Sequence, residues 1–263
     1  MASAPQAQLP LFYNDLMPLN SRDHSKYRAR SVDKAKWVVG QHAIPLTVDE
    51  FTQAQRYFPI VFSSGDSPVP LALMGLNEGI NVFFDDQGTA LEDVYVPAYI
   101  RRYPYLLARL EPEAETMSLC FDPTSDVIGD IKDGEVLFDG DQPSVHTQEI
   151  LKFTEQFEEA GARTQGFIAE IKKAGLLMEG EVAIQQNDKP DQPYVYRGFQ
   201  MIDQNKLREL RGDQLRKWNE NGILPLIYAH LLSLDMMRII FSKQTQQGKG
   251  PGVEAPEPAP ANA

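Results

Sequence analysis

The chain has 263 residues, 42% of them hydrophobic, and its 37 Asp and Glu outnumber its 25 Lys and Arg, which gives a net charge of −12. This negative charge argues against DNA, RNA or an anionic membrane as a general partner, because binding to such polyanions needs clustered basic side chains. The single cysteine, Cys120, excludes an internal disulfide and a cysteine-rich metal site.

The two ends of the chain differ in composition from its middle. Residues 1–10 are predicted to be flexible, and residues 243–263 are predicted to be a disordered tail rich in Pro and Ala. No basic residue precedes Arg22 and prolines interrupt the apolar stretch, so no secretory signal is predicted. We therefore expect a cytoplasmic protein, with leaderless export left open.

The first two-thirds of the body is predicted to contain short strands and one short helix. Thr47 and Glu50 have the spacing of a capping box, which predicts a helix that ends near Arg56. The strands predicted here, in chain order, are residues 58–62, 70–76, 80–84, 117–121 and 136–138. The turn sequence NEG separates the second strand from the third, so these two are predicted to form a hairpin.

The last third is predicted to be mainly helical. Apolar residues recur every three to four positions from Ser144 to Gly175, which predicts one amphipathic helix. Asp203 is placed to cap a second helix over residues 204–219. A hairpin of residues 182–185 with 194–201 is predicted between these two helices.

Residues 224–241 are predicted to form the final helix, which is apolar around too much of its circumference for a surface helix. We expect it to lie centrally in the core. It is also the best candidate for a membrane span, but Asp235 and Arg238 would be costly in lipid, so an integral membrane protein is not expected. The fold class that follows is α+β: a single domain over residues 11–242, with an antiparallel or mixed sheet and helices concentrated in the C-terminal third.

Several blocks of the chain resemble one known family, the bacterial SapC family. The blocks, which lie within residues 11–241, are FYNDLMPLNSRDH, QRYFPIVF, LMGLNEGINVFF, YVPAYIRRYPY, GFQMIDQNKLREL and LPLIYAHLLSL. The family takes its name from a surface-layer gene cluster, so the resemblance implies a link to the surface layer or cell envelope. A permease label attached to some members disagrees with the absence of a predicted span here. The family offers no agreed catalytic residues to transfer to this chain.

The segment of residues 95–105 has the most unusual composition, with four tyrosines around two adjacent arginines. Arginine recognises carboxylate or phosphate and stacks on aromatic rings, so the predicted ligand-binding residues are Tyr99, Arg101, Arg102 and Tyr103. The alternative is that the tyrosines face the core and the arginines pair with acids of the same chain. A helix cannot turn both arginines to one side, because neighbouring residues differ by about 100°.

An acidic band covers residues 111–159, with 14 Asp and Glu against two Lys. Its members Asp122, Asp126, Asp130 and Asp133 are spaced at three to four residues, which suits oxygen ligands of calcium or magnesium but does not match an EF-hand. A solvated acidic face is the favoured interpretation. The histidines His24, His42, His146 and His230 lack metal-ligand spacing, and no metal or cofactor is predicted.

Two functional hypotheses remain. The first is a non-catalytic accessory or binding protein, linked to surface-layer or cell-envelope assembly, that binds a protein, peptide or glycan through the tyrosine–arginine segment. The second is an enzyme acting on a peptide or sugar, with His230, Asp122 and Arg101 as its candidate groups. Cys120 is expected to be an inert core thiol. The first hypothesis is favoured because no motif with catalytic spacing occurs, and the sequence leaves the oligomeric state open.

Overall fold

The computed structural model describes residues 9–110, 116–184 and 193–250. Its α-helices, in chain order, are α1 (Phe51–Ala54), α2 (Ala98–Arg101), α3 (Val145–Lys173), α4 (Gln204–Arg208), α5 (Gly212–Glu220), α6 (Ile223–Ser233) and α7 (Met236–Gln246). Two short 3-10 helices cover Lys36–Val38 and Val48–Glu50. The longest helix lies toward the C-terminus, as expected from the sequence.

The strands pair in antiparallel fashion throughout the described ranges. In chain order they are β1 (Met17–Pro18), β2 (Arg28–Ala29), β3 (Ala43–Pro45), β4 (Ile60–Ser63), β5 (Pro70–Leu73), β6 (Tyr105–Ala108), β7 (Ser118–Phe121), β8 (Ile128–Gly129), β9 (Glu135–Val136), β10 (Phe138–Asp139), β11 (Gln142–Pro143), β12 (Leu177–Glu179), β13 (Val182–Ile184), β14 (Tyr194–Tyr196) and β15 (Phe199–Ile202). The largest sheet has five strands in the order β12-β15-β4-β5-β3, and the predicted α+β class is confirmed.

Both faces of the five-stranded sheet carry apolar clusters, because strand β4 alternates its side chains between them. Ile60 and Phe62 belong to the main core, whereas Val61 belongs to a second cluster that includes Met237 of α7. Alternation with a period of two is the geometry of any strand, and a strand buried on both sides needs apolar residues at every position. The sequence FPIVF supplies them.

Several features determined by neighbouring residues follow the sequence predictions. The Thr47–Glu50 capping box forms, and the Ser144 side chain accepts a hydrogen bond from the Thr147 amide at the start of α3. Strands β13 and β14 pair as the predicted hairpin. Asp203 caps α4, but this helix ends at Arg208 and α5 begins at Gly212, so the single predicted helix over residues 204–219 is wrong.

The predicted hairpin of residues 70–76 with 80–84 does not form. Strand β5 pairs with β3 and β4 instead. Residues 80–84 form one backbone hydrogen bond to Met74, from the Val82 amide, and one isolated bridge, between Phe84 and Ala90. The cause lies in Asn81, whose side-chain oxygen accepts hydrogen bonds from the amides of Phe83 and Phe84. Asparagine side chains compete in this way with the strand ladder.

The final helix is divided into α6 and α7 and is buried on one face only. Ile227 and His230 are fully buried, whereas the side chain of Leu232 is 68% exposed, so the prediction of a single, centrally buried helix is wrong. The buried Ser233 hydroxyl, at the end of α6, donates to the His230 carbonyl and accepts from the Ile60 amide. The helix therefore packs against the start of strand β4 and leaves its opposite side to solvent.

One stretch of the described residues, Ile223–Gln246, is long and apolar enough to cross a membrane by composition. The break between α6 and α7 falls inside it, and its buried face belongs to the protein core. A core helix of a soluble protein gives the same signal. The stretch is compatible with a protein that is not integral to a membrane.

Helix α7 continues past Ser242, where the sequence predicted the disordered tail to begin. Gln244 is fully buried, and its side-chain oxygen accepts a hydrogen bond of 2.6 Å from the Leu76 amide. The boundary predicted at Ser242 is therefore corrected. Composition cannot show that the Gln244 side chain forms a hydrogen bond to the loop that contains Leu76. Residues 251–263 of the predicted tail, and residues 1–8, lie outside the described ranges.

Candidate functional site

Helix α2, which carries the tyrosine–arginine segment, is held in place by the buried carboxylate of Glu50. One oxygen of Glu50 accepts a hydrogen bond of 2.6 Å from the Ala98 amide at the start of α2 and one of 3.0 Å from the Tyr95 hydroxyl. The other oxygen accepts from the amide and hydroxyl of Thr47. Burial and the Glu50 carboxylate together raise the pKa of Tyr95 to about 12. Glu50 therefore joins α2 to the start of α1.

Arg102 lies inside the protein. It is 7% exposed, and its guanidinium carbon is 4.3 Å from the ring centroid of Tyr99 and 4.5 Å from that of Phe157. Its ion pair with Glu158 is long, at 3.8 Å, and its Nε has no hydrogen-bond partner in the described part of the chain. Stacking between two rings is a structural use of arginine, so Arg102 serves the packing of α2 on α3.

Arg101 faces solvent instead. Its Nε donates to the Val96 carbonyl at 3.0 Å, and its guanidinium carbon lies 5.2 Å from the ring centroid of Phe153. No ion pair within the described ranges includes Arg101. The two neighbouring arginines thus point to different environments, as the helical rotation between them requires.

Arg101 lies at a pocket of about 350 Å³, which we name the Arg101 pocket. Its lining residues are Val32, Asp33, Ala35, Trp37, Phe84, Gly88, Ala90, Val96, Ile100, Arg101 and Tyr103. The rings of Trp37 and Tyr103 are 4.5 Å apart between centroids. The buried indole N–H of Trp37 has no hydrogen-bond partner among the described residues. The pocket therefore combines an aromatic wall with the cation of Arg101 and the carboxylate of Asp33.

The walls of the Arg101 pocket come from three segments that meet at a glycine. The Ala35 amide donates to the Gly88 carbonyl at 2.8 Å, and a Cβ on Gly88 would overlap the backbone of Ala35 and Lys36. Gly88 also has φ of +77°, a conformation that favours glycine. Trp37 in the 3-10 helix Lys36–Val38 and Arg101 of α2 then line the same pocket. The sequence analysis did not identify Trp37, since its only local signal is a lone aromatic residue.

A second and larger cavity, of about 690 Å³, lies between α3 and the loop before β5; we name it the α3 groove. Its lining is mostly apolar and includes Tyr99 and Phe157, the two rings that enclose Arg102. The four residues predicted to bind a ligand are therefore divided. Arg101 and Tyr103 line the Arg101 pocket, Tyr99 lines the α3 groove, and Arg102 is buried.

Asp122 is a fully buried carboxylate behind Tyr103. It accepts hydrogen bonds from the Asn14 amide at 2.8 Å and from the amide and hydroxyl of Thr124 at 2.8 and 2.7 Å, and the Tyr103 hydroxyl is 3.5 Å away. These bonds fix the N-terminal segment against strand β7. Elsewhere in the acidic band, Asp133 pairs with Arg30 at 2.9 Å. The described residues contain no group of three or more acidic, His or Cys side chains suited to a metal ion.

His230 bridges two strands of the large sheet. Its Nδ1 lies 2.7 Å from the Ile60 carbonyl oxygen, and its Nε2 accepts a hydrogen bond of 3.1 Å from the Ile202 amide. The register of β15 on β4, with Gln200 opposite Phe62, would place Ile202 opposite Ile60 if it continued. The imidazole therefore takes the place of a direct backbone hydrogen bond between Ile60 and Ile202, at the point where the two strands separate. Burial lowers the pKa of His230 to about 4, so the ring is neutral.

The three groups of the enzyme hypothesis occupy separate places. His230 contacts strands β4 and β15, Asp122 contacts the N-terminal segment, and Arg101 lies on α2. No hydrogen bond or ion pair described for these residues joins any two of them. Burial raises the pKa of the Cys120 thiol, which keeps it protonated and unreactive. The described side chains therefore give the enzyme hypothesis no assembled site.

Comparison with known proteins gives one match. The family model described as SapC matches residues 19–239, which include α2, strand β4 and all the residues that line the Arg101 pocket. No curated protein and no solved structure matches the chain.

Proposed function

The chain belongs to the SapC family, and from that premise we propose that it is a non-catalytic accessory protein that binds an acidic peptide segment of a partner at the Arg101 pocket. The link to surface-layer or cell-envelope assembly is part of this proposal and rests on the family resemblance. The carrying observation is the exposed guanidinium of Arg101 beside the aromatic wall formed by Trp37 and Tyr103.

The charge distribution supports an anionic ligand. The protein carries a net charge of −12, so most of its surface repels acidic groups, and a local cation without an acidic partner provides the attraction that selects where such a group binds. Arginine binds carboxylates through paired N–H donors, which makes the contact directional as well as attractive. A neutral sugar would stack on the aromatic wall but would gain no attraction from the charge of Arg101.

The size and lining of the pocket support a peptide side chain with its adjoining backbone. A volume of about 350 Å³ is near the lower end of the usual range of ligand sites, about 300 to 1,000 Å³. A carboxylate reaches Arg101, while the aliphatic part of the side chain and the adjoining backbone pack on the rings of Trp37 and Tyr103. A short acidic segment uses the cation and the aromatic wall at once, whereas a folded partner domain could not enter.

The test uses the indole N–H signals of the two tryptophans, followed by NMR while a blocked tripeptide with a central glutamate is added. We expect the Trp37 signal to move, and a peptide with glutamine in place of glutamate to bind more weakly. Arg101→Gln should raise the dissociation constant of the glutamate peptide by about tenfold or more, since a hydrogen bond to a charged group contributes about 1.5 to 3 kcal/mol. The melting temperature of Arg101→Gln should match that of the parent, because the side chain is exposed.

Arg238→Gln is the matched control, since Arg238 is an exposed arginine on α7 and its loss changes the net charge by the same amount. It should bind the glutamate peptide as the parent does. The proposal fails if the Trp37 signal does not respond to the peptide, or if Arg101→Gln and Arg238→Gln weaken binding equally. The surface-layer link predicts that cells carrying Arg101→Gln assemble less surface-layer protein in the envelope fraction than cells carrying Arg238→Gln.

A further inference from the structure

The α3 groove is larger than the Arg101 pocket and runs along α3. Five of its lining residues recur every three to four positions and therefore share one face of the helix: Phe157, Gly161, Thr164, Ile168 and Lys172. At a rise of 1.5 Å per residue, this face extends about 22 Å. The volume of about 690 Å³ lies within the usual range of ligand sites, about 300 to 1,000 Å³. The groove therefore has room for an elongated ligand.

The lining outside α3 offers few main-chain donors. It includes three prolines, which have no N–H group: Pro45, Pro68 and Pro70. The Leu46 amide donates to the Pro70 carbonyl at 2.9 Å, and the Val69 amide donates to the Ser63 hydroxyl at 2.9 Å. A peptide bound along this lining would leave carbonyl groups unpaired, which lowers the affinity. The lining therefore favours a ligand that needs no hydrogen bonds along its length.

The buried hydroxyl groups of the groove are bonded within the chain. Thr164 donates to the carbonyl one turn earlier at 2.7 Å and accepts from the Val48 amide at 3.0 Å. Thr47 donates to the Glu50 carboxylate at 2.9 Å, and the Tyr99 hydroxyl donates to a carbonyl of the N-terminal segment at 3.4 Å. A sugar would have to leave its own hydroxyls largely unpaired against this lining, whereas an aliphatic chain would not.

One end of the groove carries a cation. Lys172, in the last turn of α3, donates one of its three N–H groups to the Asp66 carbonyl. No ion pair within the described ranges includes Lys172. The side chains of Lys172 and Asp66 are both exposed, so solvent weakens their charges. This end of the groove can therefore attract a carboxylate, but only modestly.

We infer that the α3 groove binds a straight-chain aliphatic carboxylate, such as a fatty acid, with its carboxylate beside Lys172. Burial of the chain supplies most of the affinity, and each buried methylene group lowers the dissociation constant about fourfold. The residues described as lining the groove and the Arg101 pocket do not overlap. The inference therefore goes beyond the proposed function and does not depend on it.

The experiment titrates the full chain with octanoate, decanoate and dodecanoate and records the methyl NMR signals of Ile168, in the groove, and Ile239, exposed on α7. We expect the Ile168 signal to move and the Ile239 signal to stay. The dissociation constant should fall about fifteenfold with each step of two methylene groups. Lys172→Gln should raise it about two- to fivefold for dodecanoate, the effect of an exposed ion pair. Lys173→Gln, which removes the neighbouring lysine outside the groove, should leave it unchanged.

Gly161→Leu fills the groove. A Cβ at Gly161 meets no protein atom within 4 Å, and the same holds for Gly166, which does not line the groove and so provides the control Gly166→Leu. Both variants should melt at or above the temperature of the parent, because leucine favours a helix more than glycine does. If the new leucine displaces two methylene groups of the ligand, Gly161→Leu raises the dissociation constant of dodecanoate about tenfold or more. Gly166→Leu should bind dodecanoate as the parent does.

An Ile168 signal that does not move overturns the inference, as does a dissociation constant that is the same for all three acids. Equal effects of the two leucine variants, or of the two glutamine variants, also overturn it. Tighter binding of a blocked trileucine peptide than of dodecanoate would show that the groove binds peptides instead. Gly161→Leu should keep the Trp37 response to the glutamate tripeptide, so failure of this inference leaves the proposed function standing.

Discussion

Replacing His230 should destabilise the protein strongly and remove a specific dependence of its stability on pH. In His230→Leu, the Ile60 carbonyl and the Ile202 amide lose their partners in a fully buried position. Each unsatisfied buried group costs about 1 to 3 kcal/mol, so the two together cost about 2 to 6 kcal/mol. Typical domains have only about 5 to 15 kcal/mol of stability, so this variant is expected to be near its unfolding limit.

The pH dependence follows from the lowered pKa of the imidazole. In the unfolded chain His230 binds a proton below about pH 6.5, whereas in the folded protein it does so only below about pH 4. Between these values the unfolded state binds the additional proton, so the contribution is complete above pH 6.5 and is lost as the pH falls toward 4. Each pH unit in this window corresponds to about 1.4 kcal/mol, which gives a loss of about 3 kcal/mol.

The assay compares the parent with His230→Gln, since glutamine can donate to one backbone group and accept from the other without titrating. Urea unfolding at several pH values gives the free energy of unfolding of each protein. The difference in free energy of unfolding between the parent and His230→Gln should shrink by about 3 kcal/mol from pH 6.5 to pH 4. The carboxylates titrate in both proteins, so their contribution cancels from this difference. His146→Gln, which removes an imidazole outside this bridge, should keep the parent's pH dependence. A difference between parent and His230→Gln that stays constant over this range would refute the reasoning.

Three further outcomes are expected. Truncation after Ser242 should cost several kcal/mol by urea unfolding, because it removes the last turn of α7 and the residues after it, whose side chains form hydrogen bonds to the backbone of residues 76–82. Gly88→Ala should lower the melting temperature and weaken the Trp37 response to the glutamate tripeptide together, because the added Cβ overlaps the neighbouring backbone. Ile227→Ala should lower the free energy of unfolding by about 2 to 5 kcal/mol, because Ile227 is fully buried. Leu232→Ala, at an exposed position, should change it by less than about 1 kcal/mol. Equal losses of stability in the two variants would contradict the one-sided burial of α6.

The sequence predicted several features whose causes lie within a few residues, although it missed the local hydrogen bonds of Asn81. The capping box of Thr47 with Glu50 and the Ser144 cap of α3 are defined by positions three residues apart, so their side chains reach the backbone whatever the rest of the fold does. The β13–β14 hairpin likewise joins neighbouring segments. The blocks that resemble the SapC family indicated the family but assigned no role to any residue.

The long-range pairings could not be predicted in the same way. Strand β4 pairs with β15, which follows it by more than a hundred residues, and the bridge at His230 exists only because these two strands separate there. Periodicity shows that a segment is apolar on one or both sides, but it does not identify what covers each side. For the same reason the exposed side of α6 was predicted to be buried.

The candidate site combines both kinds of information. The sequence alone determined that Arg101 and Arg102 must point to different sides of α2, because successive helical residues are rotated by about 100°. Only the tertiary structure decided which arginine is buried, because the ring of Phe157, contributed by α3, packs over Arg102 and leaves Arg101 at the rim of a pocket whose other walls come from distant segments. Burial of a side chain depends on what the remainder of the chain places against it, and that is a property of the packed fold and not of the local sequence.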